Sequence, residues 1–158
     1  MTHDENFNLT GFNGLTASYN AINQLMSATN NGNSVQFVYD GLGRCVQRTI
    51  NGAATRIVYD EWNPIVEFDG GGNQKAWNIY GAKADEILAR WVNGIGNSWF
   101  HSDPQGNVFT VLDDSGWMVE KYTYDAFGKP EITDWSGWRG NVRATTAVGN
   151  RFMFNGRG

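Results

Sequence analysis

The sequence predicts an all-β protein built from consecutive antiparallel β-hairpins that form a twisted, open sheet. Three observations indicate this class. The 158 residues include 20 Gly and 18 Asn, the residue types that adopt the positive φ angles of tight turns most readily. Turn signals recur about every ten residues, and β-branched and aromatic residues fill the segments between them. A chain that turns this often has little room for long helices.

One series of turns follows a tyrosine or a histidine at a spacing of about 20 residues. After the aromatic residue come, in most copies, an Asx residue, two further residues, and then Gly or Asn. The Asx side chain is expected to cap the turn while the Gly adopts the left-handed conformation. The residues that define this repeat are Tyr19, Asn20, Tyr39, Asp40, Gly43, Arg44, Tyr59, Asp60, Tyr80, His101, Asp103, Gly106, Asn107, Tyr124, Asp125 and Gly128.

A second series of turns alternates with the first. It comprises Asn31-Gly32, Asn51-Gly52, the run 70–73, Asn93-Gly94 and Ser115-Gly116. Asn-Gly between alternating apolar segments is a strong hairpin signal, because both central residues of a type I′ turn need positive φ. The chain is therefore predicted to reverse direction after each strand.

The segments between the turns have the composition and length of strands. Val35, Phe37 and Tyr39 alternate with polar or smaller residues, which places the tyrosine on one face of its strand. Residues 135–150 interrupt the regular spacing of the turns, which predicts an extended loop. A short strand is predicted over 151–154. The other predicted strands are 35–39, 45–50, 55–59, 65–68, 75–80, 86–92, 108–112 and 117–124.

The charge pattern argues against several classes of partner. Lys and Arg number 12 and Asp and Glu number 16, so the net charge is 12 − 16 = −4. No block of five like charges occurs, which disfavours binding to nucleic acid or to an anionic membrane surface. No apolar run reaches the length that membrane insertion needs. Residues 1–10 lack the pattern of a signal peptide, and the single Cys45 excludes an internal disulfide.

The Tyr-Asp-x-x-Gly-Arg pattern of residues 39–44, repeated about every 20 residues, resembles the YD repeat of bacterial Rhs proteins, of the C components of Tc toxin complexes and of the animal teneurins. Residues 100–157 resemble, in four ordered segments, the core signature that follows these repeats in Rhs proteins. The expected layout is an N-terminal extension over 1–18, YD-repeat hairpins over 19–99, core-like hairpins over 100–134, and a loop with a terminal strand of the core-like region over 135–158.

The resemblance implies a sheet that spirals into a hollow shell around a cargo polypeptide, typically a toxin. In such a sheet the tyrosines of successive hairpins would form a ladder. The expected partners are flanking shell sequence or other copies of the chain, joined through open β edges, and a toxin cargo. Related proteins continue past their Asn-Gly-Arg segment into a motif in which paired Asp residues release the cargo, and this chain stops at Gly158. The resemblance thus implies a non-catalytic structural segment of a secreted or cell-surface bacterial toxin system.

A carbohydrate- or protein-binding module is the alternative function. Four tryptophans lie at or beside predicted turns, where exposed aromatic rings could stack on sugars. These candidate glycan contacts are Trp62, Trp117, Trp135 and Trp138, whereas Trp77, Trp91 and Trp99 lie in predicted strands and are expected to pack.

Catalytic and metal-binding chemistry finds little support in the sequence. Asp113-Asp114 and the pair of His101 with Asp103 are the candidate acid–base groups, but capping explains most turn carboxylates. His101 is more simply a member of the tyrosine ladder, and Cys45 is a small apolar residue of a strand. Two His and one Cys without ligand spacing predict no metal site, and the single Gly-rich copy at 69–73 is a weak calcium motif. No cofactor and no enzymatic activity are expected.

Overall fold

The computed structural model describes residues 1–83, 85–135 and 140–153. These residues form strands, turns and irregular segments and include no helix, which confirms the predicted all-β class. The chain divides into two compact units, Met1–Gln74 and Lys75–Gly158. Within each unit, successive strands are antiparallel neighbours in the order of the sequence. This is the arrangement expected of consecutive hairpins.

The first unit contains eight strands in the order of the chain. They are β1 (Thr2–His3), β2 (Leu9–Phe12), β3 (Leu15–Tyr19), β4 (Leu25–Asn30), β5 (Asn33–Tyr39), β6 (Cys45–Ile50), β7 (Ala53–Asp60) and β8 (Asn63–Asp69). The predicted turns Asn31-Gly32 and Asn51-Gly52 lie between paired strands, and all four residues have positive φ.

The first 18 residues, predicted as an extension, also form hairpins. Asn13 and Gly14 have φ angles of 44° and 81° and connect β2 to β3. The preceding turn places Phe7 at a φ of 64°, in the position that Gly occupies in most of the other turns. Because that position holds a bulky aromatic residue, the sequence pattern does not reveal the turn.

The second unit contains seven strands. They are β9 (Gln74–Tyr80), β10 (Ile87–Val92), β11 (Gly96–Ser102), β12 (Val108–Leu112), β13 (Met118–Tyr124), β14 (Pro130–Asp134) and β15 (Asn141–Arg143). Strand β15 lies inside the segment predicted as a loop and pairs with β14. Residues 151–153 are not a strand, in contrast to the prediction, and Phe154 and Trp138 lie outside the described residues.

The core of the second unit lies on one face of its strands. Its buried side chains include Ile87, Phe100, Val108, Val111, Tyr122 and Ile132. Residues 144–153, called here the arm, pack Val148 and Phe152 against this cluster. The arm therefore supplies the second layer that a single sheet needs to bury an apolar face.

In the first unit, Thr55, Ile57 and Tyr59 follow the same alternation as Val35, Phe37 and Tyr39. Thr55 and Ile57 are buried, whereas the intervening Val58 is 45% exposed. The tyrosines thus share a face with the most buried residues of this unit.

Among the described residues, no helix has the length and apolarity needed to span a membrane.

Candidate functional site

A single loop geometry recurs along the chain. At Asp40, Oδ1 accepts hydrogen bonds from the backbone N–H groups of Leu42 and Arg44, each at 2.9 Å. The N–H of Gly43 donates to the Asp40 carbonyl at 3.0 Å, and Gly43 has a φ of 84°. This geometry is an Asx-capped turn with its fourth residue in the left-handed region. Among the described residues, the turns that begin at Asp4, Asn20, Asp40, Asp69, Asp103, Asp113 and Asp125 share these closing bonds.

Asp60 differs from the other predicted turn residues. It ends β7 and pairs directly with Asn63, so the connection has two residues, with Glu61 at a φ of 50°. The Asx-capped turn requires an N–H on the fourth residue after the Asx, and that residue here is Pro64, which has none. The proline therefore excludes the capped turn at a position where the preceding Tyr-Asp pair suggests it.

The tyrosines of the repeat join neighbouring strands by the same bond. Tyr39 Oη donates to the Leu25 carbonyl at 2.9 Å, and Tyr59 Oη donates to the Cys45 carbonyl at 2.9 Å. Each accepting residue is the first one after the preceding capped turn. The same relation holds for Tyr19 with Leu9, and Tyr124 donates to Val108, the first residue after the capped turn at Asp103. Each hydroxyl thus ties the end of one strand to the start of its neighbour.

The fifth residue of the capped turns at Asp4, Asn20 and Asp40 contacts the next turn. Asn8 Nδ2 donates to Asn23 Oδ1 at 2.8 Å, and Gln24 Nε2 donates to the Gly43 carbonyl at 3.0 Å. Arg44 donates to the Glu61 carbonyl, and its guanidinium lies 5.1 Å from the centre of the Tyr59 ring. We call these bonds and the tyrosine bonds the ladder. The sequence shows a polar residue at this position but does not indicate its partner on the next turn.

His101 departs from the ladder geometry, whereas Tyr80 contacts the arm. Tyr80 packs against Phe152, with ring centres 6.1 Å apart in an edge-to-face arrangement. His101 is exposed while its neighbour Phe100 is buried, so the histidine points away from the core. The ladder tyrosines immediately precede their Asx residue, whereas His101 lies two residues before Asp103. An offset of one residue moves a side chain to the opposite face of a strand.

The carboxylates of Asp103 and Asp125 are held in their ionised form. Asn107 Nδ2 donates to Asp103 Oδ2 at 2.9 Å and lowers the pKa of that carboxyl, and the Asn107 N–H reinforces the effect. At Asp125, the backbone N–H of Lys129 is the main cause of a lowered pKa, followed by that of Phe127. These carboxylates serve as acceptors within their own turns.

We expect stability to fall in acid because of these groups. A carboxyl whose pKa is lower in the folded state contributes stability above its unfolded pKa of about 3.9, and the contribution disappears as the pH falls through the folded value. Denaturation curves should therefore show a decline below about pH 4. In Asp103→Asn, which keeps one acceptor but cannot ionise, the difference in stability from the wild type should shrink between pH 7 and pH 3. Parallel pH profiles for the two proteins would refute this assignment.

The left-handed position of the capped turn should tolerate only a few residue types. Gly43→Ala is expected to lower the free energy of unfolding by about 1–2 kcal/mol, because an L-residue with a Cβ is strained at a φ of 84°. The added Cβ would also lie 3.1 Å from Gln24 Nε2. Gly41→Ala, in the same turn with open space around it, is the control and should stay within about 0.5 kcal/mol. Equal losses in urea denaturation would contradict the proposed strain.

Each of the candidate acid–base residues Asp113 and Asp114 makes its own structural hydrogen bonds. Asp113 caps a turn through Oδ1, and Asp114 accepts hydrogen bonds from Asn97 and Trp99. Cys45 is half-buried, and its carbonyl accepts the Tyr59 bond. Asp69 caps its own Gly-rich turn through the Asn73 N–H at 2.8 Å. Within the described ranges, no group of three or more His, Cys, Asp or Glu side chains is placed to hold a metal ion.

Of the six tryptophans that the structure describes, Trp99 alone departs from the expected exposure. Trp62 and Trp117 are exposed at turns, at 68% and 75%, and Trp135 is 39% exposed. Trp77 and Trp91 are half-buried in strands. Trp99, which was expected to pack, is 44% exposed because its side chain lies on the face that the arm does not cover.

Comparison with known proteins supports the fold. No family model and no curated protein sequence matches the chain. Among solved structures, the crystal structure of TcdB2-TccC3-Cdc42 aligns with a TM-score of 0.53 and 16% sequence identity, covering 74% of this chain and 7% of that chain. A crystal structure of TcdB2-TccC3 aligns with a TM-score of 0.28 and 12% identity, covering 76% of this chain and 9% of that one. The chain is therefore similar in fold to a small part of a Tc toxin assembly.

Proposed function

We propose that the chain is a non-catalytic structural segment of a YD-repeat shell of the kind that encloses a toxin or effector polypeptide. The observation that carries this proposal is the ladder, in which successive hairpins of the first unit are bonded to one another by the same tyrosine and turn contacts. Such nearest-neighbour bonding suits a strip that grows by adding hairpins. The similarity in fold to part of the TcdB2-TccC3-Cdc42 structure supports the same role.

The use of the polar groups supports a structural role over a catalytic one. Oδ1 of each of Asp40, Asp103 and Asp125 accepts hydrogen bonds from N–H groups of its own turn, so these carboxylates act as turn caps. His101 lies on the face opposite Phe100, away from the buried polar groups of the second unit. A general base needs a carboxylate or imidazole that is free to meet a substrate proton.

Protease protection tests the shell role. The chain is expressed together with the polypeptide encoded beside it, in the native arrangement, and purified through a tag on this chain. We expect the neighbouring polypeptide to co-purify and to resist trypsin at least tenfold longer than the same polypeptide expressed alone. A neighbour that is cleaved at the same rate in both preparations would overturn the proposal.

Open sheet edges should lead to association. Strands β1 and β15 stand at the two ends of the strand order, and in the described part of the chain each pairs on one side only. Unpaired strand edges template pairing with further strands. We expect light scattering at micromolar concentration to detect dimers or larger species, and a clean monomer would contradict this expectation.

A further inference from the structure

The second unit has an aromatic surface on the face opposite its core. Trp77 pairs with Trp91 across β9 and β10, Trp91 pairs with Asn97 across β10 and β11, and Trp99 pairs with Ala89. Because side chains alternate along a strand, all these residues share one face. Buried Phe100 shows that the core and the arm lie on the other face. We call the group Trp91, Asn97, Trp99 and Asp114 the tryptophan platform.

The burial of Ala89 shows how the Trp99 ring lies. Ala89 is only 2% exposed although it points to the uncovered face. Its partners in the same row are Ile79 and Trp99, which are 41% and 44% exposed. Large side chains that lean over the small alanine account for its burial. A Trp99 indole that leans over Ala89 would bury the alanine and leave one ring face to solvent, in keeping with its 44% exposure.

A carboxylate is fixed at the edge of this ring. Trp99 Nε1 donates to Asp114 Oδ1 at 3.1 Å, and Asn97 Nδ2 donates to Oδ1 and Oδ2 at 3.1 and 3.0 Å. Asp114 is exposed, and a carboxylate offers about four lone-pair sites. The group is thus oriented by the protein and retains the capacity to accept hydrogen bonds from a ligand.

The geometry points to a carbohydrate-binding site at the tryptophan platform. An apolar ring face beside an oriented acceptor matches the two sides of a pyranose, whose C–H face packs on the indole while its hydroxyls donate to Asp114. Trp91 is a diagonal neighbour of Trp99, roughly 7–8 Å away, so it can contact the next sugar of an oligosaccharide. A neutral sugar fits best, since the charge of Asp114 would repel an acidic one.

This site differs from the turn tryptophans that the sequence suggested as glycan contacts. Trp62 and Trp117 are more exposed than Trp99, but no polar side chain is hydrogen-bonded to their rings among the contacts of the described residues. Asp114 can be replaced without opening its turn, because the cap is the neighbouring Asp113, whose Oδ1 accepts from Ser115 and Trp117 at 2.9 and 3.0 Å.

The test follows the indole N–H signals of the ¹⁵N-labelled chain by NMR during titration with neutral hexasaccharides of β-1,4-glucose, β-1,4-N-acetylglucosamine and α-1,4-glucose. We expect at least one of them to shift the Trp99 signal in a saturable manner. Asp114→Ala should weaken this binding about tenfold or more, since a hydrogen bond to a charged group is lost. Trp117→Ala, a matched exposed tryptophan in the same unit, should bind like the wild type.

Three results would overturn the proposal. The first is that none of the hexasaccharides shifts the Trp99 signal at millimolar concentration. The second is that only the Trp62 and Trp117 signals shift, which would place the contacts at the turns. The third is that a hexa-arginine peptide shifts Trp99 while the sugars do not, which would make the platform a site for cationic side chains.

Discussion

Phe152→Ala is expected to lower the free energy of unfolding of the second unit by about 3–5 kcal/mol, the usual cost of deleting a buried phenyl ring. Phe152 is 3% exposed and meets Tyr80 edge-to-face at 6.1 Å. The guanidinium groups of Arg90 and Arg151 lie 5.8 and 5.6 Å from its centre. The substitution therefore removes a buried contact of the arm with the core cluster as well as two cation–π contacts.

Urea denaturation followed by fluorescence measures this effect. Phe152→Leu is the matched control, and it should cost less than about 1.5 kcal/mol because the site stays apolar and mostly filled. Hydrogen exchange provides a second measurement if the alanine variant is too unstable. We expect the Val108 amide, which donates to the Met153 carbonyl at 2.9 Å, to exchange faster in both variants, with the larger increase in Phe152→Ala. A loss below 1 kcal/mol for alanine would contradict the role of the arm.

Glu120→Ala is expected to destabilise the same unit by about 3 kcal/mol or more. The Glu120 side chain is fully buried. Its carboxylate accepts hydrogen bonds from the Tyr122 hydroxyl, from Thr146 Oγ1 at 2.8 Å and from the Ala147 N–H. Alanine would remove the acceptor of the buried Tyr122 hydroxyl, whose loss costs about 1–3 kcal/mol, and would also release Thr146 and Ala147 of the arm.

Glu120→Gln separates the loss of an acceptor from the loss of charge. Glutamine keeps one carbonyl oxygen in place, so its cost should be about half that of alanine or less. Exchange of the Ala147 amide should accelerate strongly in Glu120→Ala and weakly in Glu120→Gln. Equal stability of the wild type and Glu120→Ala would show that this carboxylate does not hold the arm.

The turns were the most predictable part of the fold, because their chemistry is local. Asn31-Gly32 and the capped turn at Asp40 follow from the φ angles that Asn and Gly tolerate. Asp60 was predicted wrongly as a capped turn, although Pro64 already lacks the N–H that the cap needs. The prediction that His101 belongs to the tyrosine ladder was also wrong. His101 lies one residue before the ladder position, and this offset turns its side chain to the opposite face of the strand.

The sequence of a strand does not show which of its two faces will be covered by another part of the chain. Trp99 is exposed and Glu120 is buried because the arm, more than 20 residues further along the chain than either, packs on one face of the sheet. Val148 and Phe152 are four residues apart, a spacing that occurs on one face of a helix and of a strand alike, so periodicity does not identify them as core residues of an irregular segment. The side-chain bonds of Gln24 and Arg44 to the next turn likewise depend on how neighbouring hairpins align.

Cryo-electron microscopy of the assembly purified from the native source through this chain tests the shell proposal most directly. We expect strands β1 and β15 to be paired with further strands and polypeptide density to lie against the tyrosine face of the first unit. A single copy of the chain with both edge strands unpaired and nothing against that face would contradict the account.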